Sequence, residues 1–249
     1  MLQDDSEHHA AKPIDYPTSD FRPMAESDIH RKEFMDILQT LQHQFRERQD
    51  VYVSGNLLLY YEEGKIRKRV APDVFVVFGA EKKLRDYYLL WEEPHGPDVV
   101  IEITSLQTRR EDLKKKWRIY RDILKVGEYF LFDPTAEYLE PRLQGYRLSN
   151  GEYQVIPAIE GSVRSQKLGF WLEAREMKLY FRDIDTGMLL PNFDPPYHQA
   201  ERAADWVQLL AEKEKRLTDK TVQQDNMSIP EYERLQRERW RLQEMRANA

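Results

Sequence analysis

The chain has 249 residues, of which 41% are hydrophobic and 33% are charged, and its formal net charge is −6 at pH 7. This length suits one large domain or a domain with an appendage, and the high charged fraction predicts a solvated helix or tail. The absence of cysteine excludes a disulfide framework and a thiolate metal site. The negative net charge argues against a protein whose whole surface binds nucleic acid, but it is compatible with a local basic cleft.

Composition divides the chain into three parts. Residues 1–20 are polar and lack periodicity, so we expect a disordered or loosely attached segment; residues 21–195 form the main domain, and residues 196–249 a charged helical tail. No apolar run approaches the 18 residues of a membrane span, and the N-terminus lacks the apolar core of a signal peptide. We therefore expect a cytoplasmic protein that does not span a membrane.

The first predicted element is an amphipathic helix with Ser27 as its N-cap. His30 lies four residues before Phe34, on or beside the apolar stripe of this helix. A histidine there is compatible with a satisfied core residue and with a residue lining a site, and both interpretations stay open.

Residues 51–61 predict one bent strand or two short strands, with Gly55-Asn56 at the bend. A turn follows at 62–65, beside a basic cluster formed by Lys65, Arg67, Lys68 and Arg69. The cluster fits a solvated hairpin tip, and it also fits an edge that contacts phosphate groups.

A βαβ unit between Pro97 and Pro134 organises the domain. Residues 99–103 form an apolar run that contains one acid, Glu102; a helical pattern follows and ends at Gly127, and a second apolar run occupies 128–132. Strand, helix and strand in this order predict parallel neighbours in one sheet. A bare carboxylate inside a buried strand is costly unless it is paired or binds a metal, so Glu102 indicates chemistry.

The rest of the chain predicts hairpins and then a helical tail. Asn150-Gly151 between two alternating segments is a strong hairpin signal, and these hairpins are expected to extend or flank the main sheet. In the tail, a narrow apolar seam repeats every seven residues and suits a partner helix, so we expect a homo-oligomer, specifically a dimer. Ser228 and Glu231 form a capping box that restarts the helix after a break near Asn226. The seam consists of Ala203, Leu210, Leu217, Leu235 and Leu242.

Two acids stand at comparable places on separate strands. Asp73 follows Pro72 at the start of one strand, and Glu102 lies in another. Adjacent strands are about 5 Å apart, so two such carboxylates can meet and share a Mg²⁺ ion, which prefers oxygen ligands. Two structural roles stay open: Asp73 could be a turn residue at the start of a strand, and Glu102 could pair with an arginine in the core. Asp98 has the strand parity of Glu102 but lies about 13 Å from it along the strand, too far to share the ion.

Several separate motifs, in order, resemble the Uma2 (DUF820) family of the PD-(D/E)xK nuclease superfamily. They are APDVFVV, PDVVIEITS, TRREDLKKKWRIY and VGEYFLFDP, and the resemblance covers about residues 22–195. It implies an α/β fold with a restriction-endonuclease-like αβββαβ core and a mixed sheet, to which this sequence adds the β-hairpins and the C-terminal helical or coiled-coil tail. It also implies an endonuclease that hydrolyses DNA with Mg²⁺ or Mn²⁺.

The resemblance assigns roles to individual residues of this chain. Asp73 and Glu102 match the two metal-binding acids, and Lys116 matches a lysine that the family carries in the following helix. The superfamily's usual lysine position is occupied by Thr104, which has no charge. The supporting residues that match the family are His30, Ser105, Arg109 and Arg110.

The helical periodicity gives Lys116 a specific orientation. At 100° per residue, Lys116 borders the apolar stripe, whereas Lys114 and Lys115 point away from it. A lysine at the border can reach the end of the strand, and Tyr120, one turn later, can steady it. Pairing with Asp112 on an exposed face is the alternative for Lys116.

The sequence therefore predicts a metal-dependent endonuclease that hydrolyses DNA phosphodiester bonds, with Asp73, Glu102 and Lys116 as its catalytic residues. Two alternatives stay open. One is a nuclease-fold protein of weak or lost activity that binds nucleic acid or a protein, and the other is an assembly module that acts through the tail.

Overall fold

The structure of the chain is a computed structural model. It describes residues 16–19, 27–105, 112–137, 139–191, 204, 206–212, 214–215, 217–218 and 229–247. Helices and strands follow one another along the chain in this order: α1 (Asp28–Gln44), β1 (Val51–Ser54), β2 (Leu59–Tyr60), β3 (Arg69–Val70), β4 (Val74–Phe78), β5 (Tyr88–Leu89), β6 (Val99–Ile103), α2 (112–123), β7 (Glu128–Phe132), β8 (Leu143–Ser149), β9 (Glu152–Ile156), β10 (Ala158–Ile159), β11 (Ser162–Ser165), β12 (Phe170–Arg175), β13 (Lys178–Asp183), α3 (described at 204, 206–212, 214–215 and 217–218) and α4 (Ile229–Ala247).

A six-stranded mixed sheet in the order β1-β4-β6-β7-β8-β9 forms the centre of the fold. The strands β6 and β7 are parallel, and the other neighbouring pairs are antiparallel. With α1 in front and α2 between β6 and β7, the first four strands of this sheet give the expected αβββαβ order. The predicted βαβ unit and mixed sheet are confirmed.

The hairpin predicted at Asn150-Gly151 joins β8 to β9 and extends the central sheet. Both turn residues have positive φ, 52° for Asn150 and 82° for Gly151, as the turn in a two-residue hairpin requires. The strands β10–β13 instead form a separate four-stranded sheet.

Each face of the central sheet is covered by different elements. Val74, Val76 and Ile101 point into one apolar cluster with α1 and the four-stranded sheet. Phe75, Val77 and Val100 point into the other cluster, with α2 and a three-stranded sheet of order β3-β2-β5. By the alternation along a strand, Asp73 and Glu102 belong to the α2 face.

The predicted bend at Gly55-Asn56 separates two strands that belong to different sheets, because β1 lies in the central sheet and β2 in the small one. Gly55 packs so closely on the neighbouring chain that an added Cβ atom would lie 2.1 Å from the carbonyl oxygen of Asp73. The amide of Asn56 donates to the carbonyl of Pro72 at 2.9 Å. The bend thus fixes the backbone that carries Asp73.

Glu128 is a fully buried carboxylate that joins two sheets. It accepts hydrogen bonds from the Ser165 hydroxyl at 2.5 Å, from the amide of Gln166 at 3.0 Å and from the amide of Lys167 at 3.3 Å. Arg147 donates to the same carboxylate at 2.9 Å. The group is therefore paired and hydrogen-bonded, which is the condition under which a buried charge is tolerated.

Replacing Glu128 with alanine is expected to reduce the free energy of unfolding by about 3–5 kcal/mol, the usual cost when one partner of a buried pair is removed. Glu152 is a matched control because it pairs with Arg121 on the surface with a 71% exposed side chain. Its replacement with alanine should cost about 1 kcal/mol or less. Urea denaturation of both variants measures the difference, and equal losses would contradict the structural role of Glu128.

The described tail helices pack within the chain. The seam leucines are buried in one cluster together with Met177 and Trp206, and Ile29 of α1 packs against it; these leucines are Leu210, Leu217, Leu235 and Leu242. Gln243 of α4 donates to Glu214 of α3 at 2.7 Å. Helix α4 spans Ile229–Ala247. The predicted capping residue Ser228, the predicted break near Asn226 and the seam residue Ala203 lie outside the described residues.

Tyr16 belongs to the domain, although the predicted boundary places it in the N-terminal segment. Its ring is buried and packs against Tyr60 with centroids 5.0 Å apart. The phenol of Tyr60 donates to the carbonyl of Pro17 at 2.6 Å. Aromatic packing therefore ties residues 16 and 17 to the small sheet, while residues 1–15 lie outside the described part.

Among the residues that the structure describes, no helix is both long and apolar enough to cross a membrane.

Candidate active site

The register of β4 and β6 brings the two predicted acids together. Val74 pairs with Ile101 in this antiparallel ladder, so the next step places Asp73 opposite Glu102. The amide nitrogen of Asp73 lies 3.4 Å from Oε2 of Glu102. Both side chains are buried on the α2 face, at the end of the strands where β6 leads toward α2.

Glu102 is completely buried, and side chains of α2 engage both of its oxygens. The ammonium of Lys116 donates to Oε2 at 2.7 Å, and the phenol of Tyr120 donates to Oε1 at 2.5 Å. The Lys116 side chain itself is only 12% exposed. The carboxylate is thus paired with the Lys116 cation and hydrogen-bonded by the neutral Tyr120 phenol, away from bulk water.

Asp73 is bound from two other directions. The amide of Ile103 donates to Oδ2 at 2.8 Å, and Nε2 of His30 lies 3.3 Å from the same oxygen. Burial acts to raise the pKa of Asp73, but the charge of Lys116, the contact with His30 and the amide of Ile103 outweigh it and lower the pKa below its ordinary value. Asp73 is therefore held as a carboxylate at neutral pH.

Helix α2 positions both donors of Glu102. It contains π-helical segments at Asp112–Lys116 and Ile119–Ile123, a geometry often found at functional sites. Trp117, Tyr120 and Leu124 face the apolar cluster of this side of the sheet. Lys116 lies at the border of that face and points to Glu102, whereas Lys114 and Lys115 are exposed. These orientations agree with the predicted ones.

Residues 14–170 match the Uma2 family model, whose description is "Putative restriction endonuclease". This match spans more than half of the chain. The chain belongs to the Uma2 family.

A solved structure gives a second likeness to this Uma2 protein. It is a crystal structure titled as a putative nuclease belonging to DUF820 from Anabaena variabilis ATCC 29413. The two are 15% identical, the match covers 57% of this chain and 75% of that chain, and the TM-score is 0.44. No protein with a curated description matches the chain.

The other residues of the Uma2 protein that the sequence singled out do not all lie at the site. His30 is buried and contacts Asp73, so it lies at the site. Thr104 donates from its amide to the carbonyl of Phe132 at 2.7 Å and continues the strand pairing. Ser105, one residue later, is half-buried, and Arg109 and Arg110 lie outside the described residues.

Asp98 has a structural environment of its own in the Uma2 protein. Its carboxylate accepts from the amide of Phe78 at 2.9 Å and from the ammonium of Lys167 at 3.0 Å. These partners lie at the other end of β4 and β6, away from Asp73. The prediction that Asp98 and Glu102 are too distant to share an ion agrees with this placement.

Tyr120 holds Glu102, although the sequence suggested that it would steady Lys116. Burial, and then the nearby charge of Glu102, raise the pKa of this phenol well above its ordinary value. The phenol therefore stays neutral and keeps its proton as a donor to the carboxylate. Spacing alone missed this contact, because the distance between Tyr120 and Glu102 depends on how α2 packs on the sheet.

Tyr120→Phe removes the hydroxyl donor and keeps the ring in the apolar cluster. We expect a loss of about 1.5–3 kcal/mol in unfolding free energy, the range for a hydrogen bond to a charged group. Tyr153→Phe is a matched control because its hydroxyl donates to an uncharged carbonyl, that of Val126, at 3.0 Å. Denaturant titration should show the smaller loss in the control, and the reverse order would contradict the role of Tyr120.

The donor set of the Uma2 site is compatible with a hard divalent cation. Two carboxylates meet on adjacent strands, and oxygen ligands of this kind suit Mg²⁺ or Mn²⁺. His30 adds a nitrogen beside Asp73. Among the described residues, however, no group of three or more histidine, aspartate or glutamate side chains is arranged to hold a metal ion by itself. A cation would therefore need water or phosphate oxygens in addition.

Proposed function

We propose that this Uma2 protein is a metal-dependent endonuclease that hydrolyses phosphodiester bonds of DNA. The observation that carries the proposal is the convergence of Asp73, Glu102 and Lys116 at one point of the sheet. Lys116 lies 2.7 Å from Glu102, and the amide of Asp73 lies 3.4 Å from the same oxygen. Two carboxylates beside a buried ammonium suit chemistry on a negatively charged group.

The side chains take distinct roles in this proposal. Asp73 and Glu102 would hold the cation, and Lys116 would place a positive charge where negative charge develops on the phosphate. His30 and the amide of Ile103 orient Asp73, because both contact its Oδ2 atom. Tyr120 orients Glu102 through Oε1. These supports restrict the motion of both carboxylates, and such preorganisation is a main source of rate enhancement.

Asp73 and Glu102 are the residues that would hold Mg²⁺ or Mn²⁺. When bound, such an ion lowers the pKa of a water molecule and neutralises charge on the phosphate. The buried position of Glu102 limits the access of other water and strengthens the electrostatic interactions of Lys116.

Cleavage of supercoiled plasmid by the purified protein tests the proposal. With Mg²⁺ or Mn²⁺ we expect nicked and linear products, and with EDTA or Glu102→Gln we expect none. Glu152→Gln, a change at an exposed glutamate, is the control that should retain activity. Equal cleavage by Glu102→Gln would refute the proposal, and DNA binding without cleavage would favour the alternative of a binding module.

The dimer and the cytoplasmic location stay predictions. In the described part of the tail, the seam leucines are buried inside one chain, so a dimer that uses the same seam would have to open that packing. Sedimentation velocity of the full chain at micromolar concentration measures the oligomeric state. A single species with the mass of one chain, 29.9 kDa, would contradict the dimer.

A further inference from the structure

The basic hairpin is defined as residues 61–69, from the end of β2 to the first residue of β3. It lies outside the candidate site but on the same face of the central sheet. It holds four bases and two acids. Lys65, Arg67 and Lys68 are exposed, and Arg69 is half-buried. The three-stranded sheet that carries the hairpin packs into the same apolar cluster as α2. The hairpin and α2 are therefore neighbours in the fold.

The hairpin and α2 share one apolar cluster. Tyr61, at the base of the basic hairpin, packs against the cluster that contains Tyr120 of α2, and the half-buried Trp117 packs against the same cluster. Burial raises the pKa of the Tyr61 phenol, and the nearby ammonium of Lys115 opposes this shift. Lys115 thus lies within electrostatic range of the hairpin, and the next residue along α2, Lys116, contacts Glu102.

Charge is concentrated on these two elements. Residues 61–69 and 114–118 together hold eight bases and two acids, while the other 235 residues hold 30 bases and 42 acids. Glu62 is occupied within the hairpin, where it pairs with Lys65 and lies 4.0 Å from Lys68. The positive charge is therefore a local feature of an otherwise acidic chain, and a basic surface of this kind attracts a polyanion.

The basic hairpin has a defined shape. Its tip is closed by two successive turns, in which the amide of Lys65 donates to the carbonyl of Glu62 at 3.2 Å and the amide of Lys68 donates to the carbonyl of Lys65 at 2.8 Å. The hydroxyl of Tyr16 accepts from the amide of Gly64 at 2.8 Å. The charges are thus presented on a braced loop, which reduces the entropy lost when a ligand binds.

We infer that the basic hairpin and the exposed bases of α2 form one surface that binds the phosphate backbone of duplex DNA beside the candidate site. The exposed bases of α2 are Lys114, Lys115 and Arg118. This inference rests on the proposed function, since it names the surface that would hold the substrate. Contacts of this kind act on every sequence alike and position the duplex without selecting a base.

The test measures binding without cleavage. Fluorescence anisotropy with a duplex of about 30 base pairs, in EDTA and over a series of salt concentrations, gives the slope of log K against log salt, which counts phosphate contacts. Two double variants remove two charges each: Arg67→Ala with Lys68→Ala in the hairpin, and Lys114→Ala with Lys115→Ala in α2. Lys32→Ala is the control, because Lys32 is exposed on α1, across the sheet.

Each double variant should reduce the magnitude of the slope by about 2, and binding should weaken equally for unrelated sequences. The Lys32→Ala slope should equal that of the unmodified protein. Three results would refute the proposed surface: unchanged slopes in both double variants, a slope change in Lys32→Ala equal to theirs, or no DNA binding at the lowest salt concentration. Preference of the unmodified protein for phosphatidylglycerol vesicles over duplex DNA would overturn the assignment to nucleic acid.

The plasmid assay separates this inference from the proposed function. If the slopes fall as expected but the unmodified protein does not cleave with metal, the surface stands and the nuclease proposal fails. If the protein cleaves and the slopes do not change, the nuclease proposal stands and the surface is wrong.

Discussion

Replacing Lys116 with alanine is expected to reduce the rate of DNA cleavage by about a hundredfold or more, the scale seen when a charge-stabilising donor is lost. Lys116 is the ammonium that contacts Glu102, and its side chain is 12% exposed. Single-turnover cleavage with the protein in excess measures this effect, because weaker DNA binding then has little influence.

Lys115→Ala is the matched control for this prediction. The two lysines are adjacent in the chain, but Lys115 is exposed. Its loss should change the single-turnover rate by less than about threefold, since an exposed charge acts mainly on binding. Equal small losses in both variants would show that Lys116 belongs only to the DNA-facing surface.

Lys116→Ala should also lower the melting temperature, because it leaves Glu102 buried without its cation. Removing one partner of a buried pair costs about 3–5 kcal/mol. The cleavage assay therefore requires a temperature at which circular dichroism shows the variant to be folded. Lys116→Gln, which can still donate a hydrogen bond to Glu102, is the second variant if the alanine protein does not fold.

Divalent metal binding is expected to disappear in Asp73→Asn and in Glu102→Gln. Each substitution keeps the size of the side chain and removes one of the two charges that meet on adjacent strands. The affinity of a site for a hard cation depends strongly on the number of carboxylate charges. Losing either carboxylate should therefore abolish the heat of Mg²⁺ or Mn²⁺ binding in titration calorimetry.

Asp98→Asn is the control for metal binding. Asp98 also follows a proline and is half-buried at a strand end, but its partners are Lys167 and the amide of Phe78. This variant should bind the metal as the unmodified protein does. Binding that persists in both site variants, or that is lost only in Asp98→Asn, would show that the ion lies elsewhere.

Local patterns were sufficient to predict the centre of the fold. An apolar run, an amphipathic segment and a second apolar run specify β6, α2 and β7, because a crossover helix brings the strands side by side. The position of Glu102 inside the first run indicated a buried acid. The periodicity of α2 also placed Lys116 at the border of the buried face, which is where its ammonium contacts Glu102.

Features that depend on distant residues were not visible in these patterns. The small sheet pairs β2 with β5 across nearly 30 residues, and no local periodicity reports such a partner. Gly127 was expected to end α2, but the helix ends at Ile123 and Lys125 takes the positive φ of 53°. Gly127 instead allows close approach, since an added Cβ would lie 3.1 Å from the carbonyl oxygen of Asp98.

Glu102 and Glu128, the two buried glutamates of the βαβ unit, differ in whether their hydrogen-bond donors belong to side chains or to the backbone. Glu128 accepts hydrogen bonds from the backbone amides of Gln166 and Lys167. These donors can move away only if the backbone after β11 moves. Glu102 is held mainly by the side chains of Lys116 and Tyr120. The Tyr120 ring is completely buried, so Lys116, which is 12% exposed, is the partner with contact to solvent. The parallel pair of strands therefore carries one glutamate fixed largely by backbone amides and one whose cationic partner is a single lysine side chain, on opposite faces of the same sheet.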